Sequence, residues 1–273
     1  MSSPARAFPV LDSGWDPTDS GGRPVLAFAH RGGARHPDLV GLENTLLAFR
    51  HAYDLGYRYL ETDVHATRDG HLVAFHDPDL GRVTEHHGVI GGLDLDQVLE
   101  TRVAGRELVP RFEELVEELP EACFNVDVKS LEAVEPLADL IRRMGLEDRV
   151  VVSSFSHGRT QAFRRASRGR VATGATPPEI ARFLLLPAAV AGWRLDPTVA
   201  ALQVPVRRHS LQVTTPRLVR RAHAAGVQVH VWTVDESEEI ERLLGWEIDG
   251  LMTDRTDVLK RVLLRHGRWR ESR

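Results

Sequence analysis

Apolar residues in this chain come in short bursts that alternate with stretches of helical spacing. The first burst, Val25 to Ala29, runs into His30-Arg31-Gly32-Gly33, where the glycines mark the exit from a buried strand. Asn44-Thr45 then precedes Leu46, Leu47, Phe49 and Ala52, which predicts a helix capped at Asn44 or Thr45 and stopped at Gly56. The same logic predicts further strands over 57–64, 124–128, 150–154, 171–174, 201–204, 227–234 and 250–253. Helices are predicted over 112–119, 131–144, 161–166, 181–191, 218–225, 238–244 and 258–265.

Eight strands separated by helical patterns point to the α/β class and to a (β/α)8 TIM barrel, which is one domain at this length. A doubly wound open sheet is the alternative, but no Gly-x-Gly-x-x-Gly follows the first strand. One segment departs from the alternation, a small insertion after strand 2 covering 64–111. Within it, Thr67-Arg68-Asp69-Gly70 separates two apolar runs by too few residues for a parallel crossover, so the chain must form a hairpin. The returning run, Leu72 to Phe75, then delivers His76 and Asp77 to the rim where Glu61 and Asp63 leave the barrel. The remainder, with Gly81, Gly88, Gly91 and Gly92, predicts a small cap. Residues 1–23 read as a loose N-terminal extension, 24–266 as a single barrel domain including the insertion, and 267–273 as a solvated C-terminal tail.

Composition narrows the partners. With 35 Lys+Arg against 39 Asp+Glu the net charge is −4, which offers no footprint for nucleic acid. Cys123 is the single cysteine, so an intrachain disulfide and a cysteine-based zinc cluster are excluded, and a reducing cytoplasm is expected. The first 22 residues hold no apolar stretch of signal-peptide type, and no uncharged run approaches the ~18 to 20 residues of a membrane span, so no integral membrane segment is expected.

Barrel chemistry sits at the C-terminal ends of the strands. There the chain places His30 and Arg31, then Glu61 and Asp63, then Asp127 and Lys129. Glu61 and Asp63, and likewise Asp127 and Lys129, each at spacing two, face one side of their strand. Carboxylates this close oppose joint ionisation unless a cation compensates them, and three oxygen ligands suit a hard divalent ion such as Mg2+ or Ca2+. Taken singly, each has a plainer explanation: a rim histidine satisfied by a hydrogen bond, or Glu61 and Asp63 paired with Lys129 and Arg31. Seven such groups at one end of neighbouring strands and one hairpin favour a functional site. His51, His86-His87, His223 and His230 stand outside this set and read as structural or solvated, and Ser153-Ser154 lacks triad partners.

The ordered motifs His30-Arg31-Gly32, Glu43-Asn44-Thr45, Glu61-Thr62-Asp63-Val64, Thr67-x-Asp69-Gly70 and His76-Asp77 resemble the glycerophosphodiester phosphodiesterases. Asn125-Val126-Asp127-Val128-Lys129, Ser153-Ser154-Phe155, Val231-Trp232-Thr233-Val234 and Asp249-Gly250-Leu251-Met252-Thr253-Asp254 extend the resemblance, from about Pro24 to Val258. It implies a (β/α)8 barrel with an insertion after strand 2. It further implies His30 and His76 as an acid/base pair, Glu61, Asp63 and Asp127 as ligands of one divalent cation, and Arg31 and Lys129 as phosphate contacts. Trp232 would wall the alcohol pocket, and Glu43 would be a carboxylate beside the metal or one of its ligands. The cation implied is Mg2+ or Ca2+, with Mn2+ a further choice. Leu42 replaces a usual proline, and Asp127 stands where glutamate is common, one methylene shorter toward the metal. The implied reaction is hydrolysis of a small-molecule glycerophosphodiester to sn-glycerol 3-phosphate and an alcohol. Two rival readings are a phospholipase of the sphingomyelinase D type, which the single cysteine and missing signal disfavour, and a non-catalytic barrel that binds phosphodiesters.

Overall fold

The computed structural model describes residues 8–12, 24–187 and 191–269. Eight parallel strands close into a barrel: β1 (Leu26–His30), β2 (Tyr59–Ala66), β6 (Cys123–Val128), β7 (Val150–Ser153), β8 (Ala172–Gly174), β9 (Val199–Pro205), β12 (Gln228–Trp232) and β13 (Gly250–Thr253). Closure comes from β1, which pairs with β13 on one side and β2 on the other, while β10 (Arg207–Arg208) and β11 (Leu211–Gln212) form a separate antiparallel pair. All eight predicted strands are present, and the TIM barrel expected from their spacing is the observed fold. Consecutive side chains point to opposite faces. Leu60, Val64, Val126, Val152, Leu202 and Val231 therefore pack outward under the helices, while Phe28, Val151, Ala172, Ala201 and Met252 fill the barrel interior.

The helices are α1 (Leu46–Asp54), α2 (Leu95–Leu99), α3 (Phe112–Glu118), α4 (Val134–Met144), α5 (His157–Ala166), α6 (Pro177–Leu185), α7 (Pro216–Ala224), α8 (Ser237–Leu244) and α9 (Thr256–Arg265). None is long and apolar enough to cross a membrane. Thr45 caps α1, accepting from the Ala48 N–H at 3.2 Å. Asn44 is thereby free to point elsewhere. The helix expected over 181–191 instead begins at Pro177. A reciprocal capping box between Thr176 and Glu179, with proline in the first turn, sets the earlier start. Residues 188–190 of that expectation lie outside the described residues.

The insertion is built as the hairpin argument requires, with more structure than a glycine-rich cap. β2 overshoots the barrel and pairs antiparallel with β3 (Leu72–Ala74), aligning Val64 with Ala74 and Ala66 with Leu72. The Phe75 N–H then donates to the Asp63 carbonyl at 3.0 Å, which fixes the returning chain beside the second strand's carboxylates. Beyond it, β4 (Arg102–Val103), β5 (Glu107–Leu108) and α2 enclose a small core of their own with Val73, Phe75, Leu80, Ile90 and Val98.

Among the described residues, parts of both flanking segments are better anchored than expected. Val10 and Leu11, in a short 3-10 turn, are buried at 2% and 4% exposure, so this part of the 1–23 segment is not loose. They pack with Leu26, Phe28 and Ala200 and plug the barrel interior, and Gln228 Nε2 donates to the Leu11 carbonyl at 2.9 Å. Leu11→Ala is expected to lower unfolding stability by about 2 kcal/mol, seen as a shifted urea midpoint with unchanged slope. In the tail, Trp269 sets its ring near edge-on to Tyr57 with centroids 5.0 Å apart, so the start of that segment is packed and not solvated throughout. Alternation along the chain gave no hint of either contact, because each needs the closed barrel as its partner.

Candidate active site

The mouth is assembled from strand ends and one sharply turned loop. His30 is the last residue of β1, and the chain turns immediately with Arg31 at φ 49° and Gly32 at φ 83°. A Cβ on Gly32 would lie 2.7 Å from that of Ala48, so only glycine lets this loop approach α1 so closely. The Arg31 N–H donates to the Glu61 carbonyl at 3.0 Å and to Glu61 Oε2 at 3.1 Å. Arg31 is held in its left-handed conformation by the strand that carries the first carboxylate.

Asp63 is the electrostatic centre. It is 1% exposed, with Lys129 Nζ 2.9 Å from Oδ1 and Arg31 Nε 3.2 Å from Oδ2. Asn44 Nδ2 donates to the same Oδ2 at 2.9 Å and is oriented by Thr62, whose hydroxyl donates to Asn44 Oδ1 at 2.9 Å. Burial opposes the charge on Asp63, but the Lys129 and Arg31 cations outweigh it and hold the carboxyl down to about 2. Glu61 has the opposite balance: burial and the neighbouring Asp63 push it up to about 7. Asp127 accepts from Lys129 Nζ at 2.7 Å through Oδ2, whereas its Oδ1 is buried without a partner. Burial also raises Asp127 above the usual carboxylate range. Lys129 and Arg31 therefore serve Asp63 fully but leave Asp127 Oδ1 without a partner.

Both histidines are oriented by carboxylates through Nδ1. His30 Nδ1 lies 2.7 Å from Asp254 Oδ1, with Nε2 3.7 Å from Glu61 Oε2. Burial works against a charged ring, but Glu61 and Asp254 overcome it and raise His30 to about 9. His76 Nδ1 lies 2.7 Å from Asp77 Oδ1, and Asp77 is in turn paired with Arg82. Arg82 NH1 also donates to Glu43 Oε2 at 3.0 Å, and Glu43 Oε1 accepts from Arg31 NH1 at 3.1 Å. A continuous run of ion pairs thus links the cap through Arg31 to Asp63 in the mouth.

His30, Arg31, Glu61, Asp63, His76, Asp127, Lys129 and Trp232 all line one cavity of about 270 Å³. Glu43 is not among the lining residues; it is committed to the two arginines behind the wall. Trp232 stands edge-on to Phe155, ring centroids 5.5 Å apart, and with Ile180, Pro177 and Met252 makes an apolar wall opposite the charges. The three carboxylates expected to hold a metal share this mouth but are not drawn into a closed ligand group. The Lys129 ammonium bridges Asp63 and Asp127 instead. As a donor set they fit a hard cation, since all three offer carboxylate oxygens and Asp127 Oδ1 is buried without a partner.

The residues sequence reasoning did not single out are Asp254, Arg82 and the pair in which Gln203 Nε2 donates to Asn125 Oδ1 at 2.8 Å. Asp254 closes a recognisable motif, but its partnership with His30 spans 224 positions and has no local signal. Arg82 lies in the cap, where no periodicity places a side chain.

A model of the glycerophosphoryl diester phosphodiesterase family matches residues 30–258. A probable glycerophosphodiester phosphodiesterase 2 of Mycobacterium tuberculosis is 36% identical over 258 residues, covering 91% of this chain and 98% of that protein. Among solved structures, a putative glycerophosphoryl diester phosphodiesterase from Silicibacter pomeroyi superposes with a TM-score of 0.74 at 24% identity, covering 90% of this chain and 96% of the other. An Oleispira antarctica phosphodiesterase, solved in complex with the product sn-glycerol-3-phosphate, superposes with a TM-score of 0.72 at 21% identity, covering 87% and 96%.

Proposed function

Because the chain belongs to the glycerophosphoryl diester phosphodiesterase family and is an enzyme that hydrolyses glycerophosphodiesters, we propose that it releases sn-glycerol 3-phosphate and an alcohol by paired imidazole catalysis beside a bound divalent cation. The observation that carries this reading is the cavity in which His30 and His76, each oriented by an aspartate, share one lining with Arg31, Lys129 and the carboxylates Glu61, Asp63 and Asp127. The product bound by the Oleispira protein supports the glycerol phosphate half of the assignment.

The diester is an anion, and Arg31 and Lys129 offer it charge in a recessed, low-dielectric wall. His30 is assigned as the proton donor: Asp254 holds its Nδ1 at 2.7 Å and leaves Nε2 for the substrate, and Glu61 and Asp254 favour the charged ring. As the bond from phosphorus to the departing oxygen breaks, the Nε2 proton passes to the alkoxide and the alcohol leaves neutral. A water oxygen bonds to phosphorus, either directly or by opening a cyclic phosphate first formed by a glycerol hydroxyl; His76 takes the proton of the attacking group, and Asp77 stabilises the imidazolium that results. Glu61, Asp63 and Asp127 would hold Mg2+, Ca2+ or Mn2+, which supplies further neutralisation of the phosphoryl oxygens when bound. Trp232 and Phe155 give the carbon skeleton an apolar face.

Incubation with soluble glycerophosphodiesters and, separately, with a choline lipid tests the reading through product identity. Glycerol 3-phosphate from the soluble diesters is expected; choline and a cyclic product from the lipid would instead favour the sphingomyelinase D type, and binding without turnover the non-catalytic barrel. A pH prediction follows from His30 in chelator-treated protein. Its value is raised from 6.5 to about 9, so its stabilising contribution is complete below about 6.5 and is lost as pH rises through about 9. The gap in urea midpoint between wild type and His30→Gln is therefore expected to be widest near pH 6 and to close above pH ~9; a gap independent of pH would refute the charged ring.

A further inference from the structure

Away from the mouth, where the loop between β1 and α1 folds back on the helix, three other metal-ligating side chains converge. Among the described residues, His36, Asp38 and His51 are the group whose ligand atoms all lie within 4.8 Å of one another. His36 is 9% exposed, and its ring packs on that of His51 with centroids 4.4 Å apart. Asp38 Oδ2 lies 3.8 Å from His36 Nδ1 and 4.0 Å from His51 Nε2, facing both rings at more than hydrogen-bond length. The Asp38 N–H donates to His36 Nδ1 at 3.2 Å, which marks that nitrogen as the one bearing a lone pair. His51 Nδ1 is buried with no hydrogen-bond partner.

We infer that His36, Asp38 and His51 form a second divalent-metal site, of the zinc class, that ties the β1–α1 loop to helix α1. Two imidazoles and one carboxylate are a borderline donor set, matched to Zn2+ and poorly to Mg2+ or Ca2+, which prefer oxygen throughout. Bonds of about 2.0 to 2.2 Å in a tetrahedron put neighbouring ligand atoms roughly 3.3 to 3.5 Å apart. The two Asp38 spacings exceed this by about half an ångström, which rotation of Asp38 can close, since its side chain is 77% exposed; the two ring nitrogens, within 4.8 Å of each other, would draw together on the ion as well. The incoming cation would replace the weak amide contact at His36 Nδ1, and the open side of Asp38 leaves a fourth position for water. The loop carries Arg31 and Asn44 as well, so the cation would brace the segment that positions them. The site uses none of the mouth's residues and stands apart from the phosphodiesterase reading.

The test uses chelator-stripped full-length protein in millimolar Mg2+, titrated with Zn2+ by calorimetry and checked by metal analysis. One zinc per chain is expected for wild type and for Asp127→Asn, with binding at least about tenfold weaker in His51→Ala and in Asp38→Asn. Asp38→Asn alters an exposed side chain and keeps the test independent of folding. The imidazole proton resonances of His36 and His51 are expected to shift on zinc addition and not on added Mg2+. No zinc uptake by wild type, equal affinity in both cluster variants, or loss of the zinc in Asp127→Asn would each overturn the assignment.

Discussion

His30→Ala is expected to lower kcat by about 10³ with a far smaller change in KM, and His76→Ala to do the same. Each ring is held through Nδ1 by an aspartate at 2.7 Å, so Nε2 is the nitrogen left for the substrate in both. The two losses are not expected to add in the double variant, because donor and acceptor act on one displacement. His30 carries a second consequence that His76 does not. Removing its ring leaves Glu61 and Asp254 without their shared cation, so His30→Ala is also expected to unfold at lower urea concentration. Circular dichroism at the assay temperature separates that effect from catalysis. Turnover within tenfold of wild type in a folded His30→Ala or His76→Ala would remove the acid/base assignment.

Chelation is expected to reduce turnover by about 10³ or more, with recovery on adding back Mg2+, Ca2+ or Mn2+. Asp127→Asn locates the cation. Its Oδ1 is a buried orphan, and burial already raises its pKa, so the charged carboxylate is a cost to the fold while the ion is absent. Lys129 keeps Asp63 as its partner at 2.9 Å after the change. The variant is therefore expected to need at least about tenfold more cation for half-maximal activity. Its metal-free Tm is expected to hold or rise by about 2 °C. Activity and stability moving in opposite directions is what a carboxylate kept for a ligand predicts. An unchanged cation requirement would show that Asp127 serves only as the partner of Lys129.

Much of this site was legible in the chain because its residues sit at strand ends. Apolar alternation located His30, Glu61, Asp63, Asp127 and Lys129 at one rim, and the short turn at Asp69-Gly70 forced His76 back beside them. Glu43 shows the limit of that reasoning: a motif places it near the mouth, yet two arginines from different segments draw its carboxylate away from the cavity. The helix at Pro177 shows another limit, since a reciprocal cap of Thr176 and Glu179 outweighed the apolar spacing further along.

Local pattern by itself determined the strand count, the helices between them, the hairpin and the end of the barrel that carries the charged groups, because each depends on spacings of two to four residues that side-chain geometry enforces. The tertiary structure alone decided which charges meet: Asp254 with His30, Arg82 with Glu43, Lys129 between two aspartates, and Leu11 inside the barrel. Apart from Asp127 and Lys129, which are neighbours on one strand end, those pairings join positions far apart in the chain, and their energies depend on burial and on distances of about 3 Å that only a closed barrel sets.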